Sequence, residues 1–322
     1  MKHMAYTFLK LAALVLVYVT SATAQNFPNR PVRVVVAWPA GSIADVLMRI
    51  MSEPISSDLG QPVIVENKPG ATGAIGADLV AKSPPDGYTL LFSGSPLNMM
   101  HAIGVQTPYK MPDSFTPIVN IAWTPLVLVV QPSLQLRTPQ DLVALAKQQP
   151  GKLFYAISGT GSPSHFVTEL FRARTGIDAT PVPFAGSPQT MTAQLAGQVA
   201  FHFAATTAAL PQIRAGKITA LGTTARARLE LAPEIPTMEE QGLKNFPMHW
   251  NGILGPRGVP MPIAEQLATA FNRAMNRPDV QKRVAPYAND MDGKSTPHTF
   301  VGLIKEDYAT WAEVARVANI KP

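Results

Sequence analysis

Two segments of this 322-residue chain carry the residue types that bind an anion without any charged side chain. Pro39-Ala40-Gly41-Ser42 follows the apolar run Val32 to Trp38, and Gly159-Thr160-Gly161-Ser162-Pro163 follows Leu153 to Ser158. In each, glycine allows close backbone approach, and a small-residue turn opens onto a helix. The first four amides of a helix have no partner within it and the dipole there is positive, so such a turn can receive a carboxylate or phosphate. Two such turns facing one another would clamp a dianion. Beside the first, Trp38 is either a wall of the site or a core side chain. Asp45 stands at the capping-box spacing from Ser42, so it either meets a ligand or stabilises its own helix start. Beside the second, Ser162 and Pro163 suit an N-cap and first helical position, and His165 can bond a ligand or pack.

Further small and hydroxyl residues stand at strand ends: Ser93 and Ser95 around Gly94, Phe184-Ala185-Gly186 before Ser187, and Thr206-Thr207 after Ala205. Open α/β sheets bind ligands outside the carboxyl ends of their strands, which makes these second-tier candidates. The sequence contains no Gly-x-Ser-x-Gly, no His-Glu-x-x-His and no phosphate loop ending in Gly-Lys-Ser/Thr. Gly70, Gly73 and Gly76 lack the Gly-x-Gly start of a dinucleotide loop and suit a turn before a helix. Asp290-Met291-Asp292-Gly293 offers too few oxygens for calcium, with Val301 at the twelfth position. The six histidines show no paired spacing. A binding protein without metal or cofactor is expected rather than an enzyme. The enzymatic rival is an exported hydrolase using Ser162 with His165, which would need an orienting acid.

Those loops need strands before them and helices behind them. Val32 to Trp38, Val63 to Asn67, Tyr88 to Gly94, Leu126 to Gln131, Leu153 to Ser158, Val199 to Ala205, Ile218 to Thr224 and Asn251 to Gly255 are predicted strands, apolar enough to be buried on both faces. Amphipathic segments of helix length alternate with them, the α/β signature. Thr138-Pro139-Gln140-Asp141 and Thr237-Met238-Glu239-Glu240 have the spacing of helix starts. Pro297 to Val317 is predicted to be a helix with Phe300, Ile304, Tyr308, Trp311 and Ala315 in one apolar stripe.

Composition sets the class. Apolar residues at 46% and charged residues at 15% exclude a disordered chain, and the 31 prolines follow no Gly-X-Y period. The length suits two domains. Residues 1–24 have the pattern of a secretory leader: Lys2 and Lys10 near a basic start, the apolar run Leu11 to Val19, and Ala22-Thr23-Ala24 before Gln25. That run is far shorter than the roughly 20 residues of a membrane span. Export with no cysteine suits a large periplasmic protein held by burial. Lys2 and Lys10 leave with the leader, so 27 basic residues become 25 against 21 acidic ones, a net +4. No basic run of five occurs, which argues against a nucleic-acid partner.

A series of motifs then resembles a known family: Arg30-Pro31-Val32-Arg33-Val34-Val35-Val36, Gly41 with Asp45, Leu59-Gly60-Gln61-Pro62-Val63-Ile64-Val65-Glu66-Asn67-Lys68-Pro69-Gly70-Ala71, Pro85-Asp86-Gly87-Tyr88-Thr89-Leu90-Leu91, Pro150-Gly151-Lys152-Leu153, Gly197-Gln198-Val199, Ala215-Gly216-Lys217 and Pro236-Thr237. In order and coverage the chain is similar to the Bug family, the periplasmic solute-binding proteins of tripartite tricarboxylate transporters. The resemblance implies an α/β, two-lobed periplasmic-binding-protein fold of type II, each lobe a sheet flanked by helices. One lobe would comprise residues 25–124 and 225–322 and the other 125–224, with two chain crossings as the hinge. It implies a monomer that closes on a small carboxylate and delivers it to the transporter's membrane subunits, without catalysis. A sensory adaptor binding the same class of ligand is the alternative. Four positions depart from the family pattern. Gly41-Ser42 replaces a Gly-Gly pair, Trp38 replaces a smaller aromatic, and Ala200 and Ala204 stand where acids are usual. Missing acids argue against an ammonium on the ligand, and the Trp38 ring favours aromatic dicarboxylates such as terephthalate over aliphatic di- or tricarboxylates.

Overall fold

Runs of valine, leucine and isoleucine form two sheets in the structure, a computed structural model that describes residues 27–287 and 290–321. The expected leader and the start at Gln25 lie outside the described residues. In chain order the strands are β1 (Val32–Val36), β2 (Val63–Asn67), β3 (Thr89–Gly94), β4 (Phe115–Thr124), β5 (Leu126–Val130), β6 (Leu153–Ile157), β7 (Ala179–Pro183), β8 (Phe201–Ala205), β9 (Thr219–Thr223), β10 (His249–Pro256) and β11 (Asp290–Met291). The first sheet has the order β11-β4-β10-β3-β1-β2 and the second β7-β6-β8-β5-β9. Helices α1 (Ile43–Leu59), α2 (Ala74–Ala81), α3 (Pro96–Ala102), α4 (Pro139–Gln148), α5 (Pro163–Thr175), α6 (Ser187–Leu195), α7 (Thr206–Arg214), α8 (Met261–Met275), α9 (Pro278–Val284) and α10 (Pro297–Val317) flank them.

Both faces of each sheet are covered, which is why the strands are apolar at successive positions. On one face of the first sheet Val34 and Val36 pack with Leu47 and Met51 of α1 and Leu267 and Phe271 of α8. On the other, Val35 and Leu91 pack with Ala77 and Val80 of α2. In the second sheet Tyr155, Ile157, Phe201 and Phe203 meet α5, while Val127, Val129 and Ala204 meet α6 and α7. The box at Thr138 and Asp141 caps α4 as predicted.

Four features differ from the sequence-based expectation. Strands β4, β7 and β11 are not among the eight predicted: Pro117 and Asn120 break the pattern of β4, Pro181 and Pro183 that of β7, and β11 has only two residues; Pro117 sits where the β4–β10 register shifts, so its missing N–H costs no regular ladder bond. Thr237 and Glu240 make both capping-box hydrogen bonds, yet only a turn follows. The Met238 N–H donates to Thr223 O and the Thr223 N–H to Pro236 O, so this stretch is held alongside β9 instead. Tyr308 is 37% exposed and leaves the α10 stripe, whereas Phe300, Ile304, Trp311 and Ala315 are buried.

The fourth difference concerns the division of the chain. Residues beyond 225 stay with the second sheet: Ala232 and Ile235 join one of its clusters, and Met238 and Phe246 the other. The chain re-enters the first sheet with β10, which begins at His249. Helix α10 is a further connection, since Phe300 and Ile304 belong to the first lobe's core and Trp311, Val314 and Ala315 to the second's. Short helix α3 does the same with Leu97 and Met100 on one side and Met99 on the other. Two chain crossings and helices α3 and α10 therefore join the two sheets and their cores.

Candidate functional site

Loops of identical design leave β1 and β6. Gly41 has φ +79° and Gly161 φ +75°, the left-handed region that glycine enters without strain. Each is followed by a serine N-cap in extended conformation, Ser42 on α1 and Ser162 on α5. Ser42 Oγ accepts from the Asp45 N–H and Ser162 Oγ from the His165 N–H, both at 3.3 Å. The glycine amide in turn donates to the side chain four residues on: Gly41 to Asp45 Oδ2 at 2.9 Å and Gly161 to His165 Nδ1 at 3.2 Å. A ligand must displace these bonds or use the other amides of the helix starts.

Asp45 is 3% exposed and its carboxylate is fully engaged. Besides Gly41, Oδ1 accepts from Arg49 Nε and Asn67 Nδ2, each at 2.9 Å. Burial pushes its pKa up, but the hydrogen bonds from Arg49, Gly41 and Asn67 outweigh it and hold the carboxyl below its ordinary range. Asp45 therefore braces the loop. Asn67, which the sequence reading did not single out, also donates to Trp38 O at 3.1 Å, so one β2 side chain fixes both ends of the first loop. Trp38 is half-buried, packed against both clusters of its lobe with part of its surface open; Ala40 and Gly41 are exposed.

His165 differs from its counterpart Asp45 in what it leaves available. With Nδ1 accepting from Gly161, the neutral ring carries its proton on Nε2, which bonds no described residue and can donate to a ligand. Burial holds the imidazole below its usual pKa, against the pull of Glu169. The Ser162 hydroxyl meets the His165 backbone and Ser164 Oγ rather than the imidazole. Glu169 is taken by Arg172 and Tyr155. The described residues thus assemble no Ser-His-acid relay. Gly159 is half-buried and Thr160 exposed at the same turn.

The remaining candidates separate. Ser93 and Ser95 are both fully buried and leave the surface of the site. Ser95 belongs to the hinge: its Oγ accepts from the Trp250 N–H at 2.9 Å and donates to Asp307 at 3.0 Å, while Asn98 and Trp311 donate to the same carboxylate at 2.7 Å. Burial pushes Asp307 up to about 6, only partly offset by these donors. Thr206 is also buried, its Oγ1 donating to Pro125 O at 2.9 Å across the first crossing. Thr207, Phe184 and Gly186 stay partly open and Ala185 is exposed. Helices α6 and α7 start at Gly186 and Ala205 with no side-chain cap, unlike α1 and α5. The turn at Gly70 to Gly73, with Ala71 and Thr72 at positive φ, also reaches this region: a Cβ on Gly73 would lie 3.3 Å from Ala37 Cβ and 3.8 Å from Leu97 Cδ2.

Helix α3 spaces the two serine loops. Leu97 near its start lies beside Gly73 and Ala37, at the root of the first loop; a Cβ on Gly161 in the second would stand 3.3 Å from Ile103 Cδ1 just past its end. Leu97 and Ile103 are six residues apart, roughly 9 Å of helix, and each touches the surroundings of one loop. Among the described residues no group of three His, Asp or Glu side chains could hold a metal ion.

Comparison with known proteins extends this geometry. The family described as the tripartite tricarboxylate transporter family receptor matches residues 47–319. Protein BugT of Bordetella pertussis is 34% identical over 322 residues, covering 97% of this chain and 98% of its own. Among solved structures, an R. palustris protein with adipate is 30% identical at a TM-score of 0.80, covering 92% of this chain and 100% of its own. A second from that organism, with bound malate, is 30% identical at 0.77, covering 89% and 99%.

Proposed function

This chain belongs to the tripartite tricarboxylate transporter receptor family, and we propose that it is a periplasmic receptor that captures a small dicarboxylate between its lobes and hands it to a membrane transporter. The observation that carries the reading is the pair of matching Gly-Ser loops at the carboxyl ends of β1 and β6, one in each lobe. A ligand touching both lobes favours the closed form by its differential affinity for it. The protein acts as a monomer, with lobes 27–124 plus 249–321 and 125–246. Two structural relatives bound to adipate and to malate support the dicarboxylate class. The open part of the Trp38 ring favours an aromatic ligand such as terephthalate, since ring packing adds about 0.5–1.5 kcal/mol beyond area burial.

A thermal-shift screen tests this. A ligand at 100 times its Kd adds about 2.7 kcal/mol to the native state, roughly 5 °C for a chain of this size. Terephthalate is expected to raise the midpoint most, adipate and malate less, and aspartate and glutamate not at all. A shift with the amino acids and none with the dicarboxylates refutes the reading. Turnover of an ester would favour the hydrolase instead.

A further inference from the structure

His249 opens β10, immediately after the chain returns from the second lobe. The antiparallel register pairs His249 with Thr124 and Trp250 with Trp123. Paired side chains share a face and successive ones alternate. Trp250 meets Phe300 of α10 edge-on, at 5.1 Å between ring centroids, so His249, Thr124 and Asn251 take the opposite face. There Asn251 Nδ2 donates to Thr124 Oγ1 at 2.8 Å. Asn251 also pairs with Gly94, the last residue of β3, which puts this polar group at the carboxyl end of the parallel strands, level with the Trp38 loop. From the second lobe, Thr206 in the first turn of α7 reaches Pro125, the residue after Thr124. Elements of both lobes converge on this spot.

The imidazole itself makes no hydrogen bond to any described residue. It is only partly exposed, and burial drives its pKa down to about 4, the behaviour of a ring set deep among protein atoms with one open side. Near neutral pH it is uncharged and offers one N–H and one lone pair. A buried polar side chain without a partner is costly, and a ligand carboxylate is the acceptor such a donor lacks.

We propose that His249 is a specificity-determining contact at the hinge end of the cleft, its ring N–H donating to a carboxylate of the bound dicarboxylate, with Asn251 and Thr124 holding the floor beside it. The assignment rests on the dicarboxylate reading above. It is tested with whichever of malate, adipate and terephthalate shifts the melting midpoint of the unaltered protein. Calorimetry should show His249→Leu losing at least tenfold in affinity, about 1.4 kcal/mol, with unchanged circular dichroism, and His249→Gln, which keeps an N–H donor, recovering most of it. In ¹⁵N-histidine spectra, the ring signal missing from His249→Gln should move on ligand addition. Binding by both variants within twofold of the unaltered protein, with that signal unmoved, overturns the role of His249 and leaves the receptor reading standing. Failure of the unaltered protein to bind any of the three dicarboxylates overturns both.

Discussion

One buried histidine should contribute measurably to the destabilisation of this protein by acid. His202 lies on β8 at 1% exposure, with Nδ1 3.0 Å from Gln194 Oε1 and no partner for Nε2. Burial pushes its pKa from 6.5 down to about 4. Below pH 6.5 the unfolded chain takes up a proton that the folded chain refuses, so the stability this group confers is complete above 6.5 and is lost as pH falls toward 4. Between pH 7 and pH 4.5 that loss comes to about 2 kcal/mol for a single group shifted this far. His202→Leu nearly conserves volume, removes the proton site and leaves Gln194 Oε1 without its donor, so its stability at pH 7 should fall by about 1 kcal/mol or less. Urea unfolding at both pH values gives the comparison. From pH 7 to pH 4.5 the unaltered protein should lose about 2 kcal/mol more than His202→Leu, and His249, common to both chains, cancels in the difference. Parallel losses in the two proteins would show that His202 is protonated without unfolding.

Three further outcomes follow from the loops and the hinge. Gly41→Val and Gly161→Val each place a side chain at positive φ, a strain of about 1–2 kcal/mol, and should lose ligand affinity while keeping a folded circular-dichroism spectrum; retained binding in both removes the loops from the site. Gly161→Val should be the more damaging, because its Cβ also meets Ile103 whereas that of Gly41 meets nothing within 4 Å, and melting midpoints in the reverse order would contradict this. Asp307→Ala leaves the donors of Ser95, Asn98 and Trp311 without an acceptor and should cost about 2–4 kcal/mol in denaturant unfolding, so a loss below 1 kcal/mol would mean that the network does not secure the hinge.

The sequence alone determined what repeats locally. Strands buried on both faces must be apolar at successive positions, so β1, β3, β5 and β6 announce themselves, and a serine before a helix start is legible because the cap hydrogen bond spans only three residues. The helix near Pro297 to Val317 is legible for the same reason, with Thr296 as its cap. Glycines at 41 and 161 and the order of motifs pointed to the two loops and to the family. Tertiary structure alone decided which side chains those loops leave free. Asp45 and His165 occupy equivalent places, yet Arg49 and Asn67 saturate the first while the second keeps its Nε2–H; Asn67 lies 22 residues from Asp45, beyond any local signal. Ser95 looked like a cleft hydroxyl until the fold brought Asp307, 212 residues away, to it. His249 carries no motif, and only the pairing of β10 with β4 sets it on the face of the sheet opposite Trp250. Backbone periodicity and caps are written within a few residues of chain, whereas the partner of a polar side chain is chosen by whichever distant segment packing delivers to it.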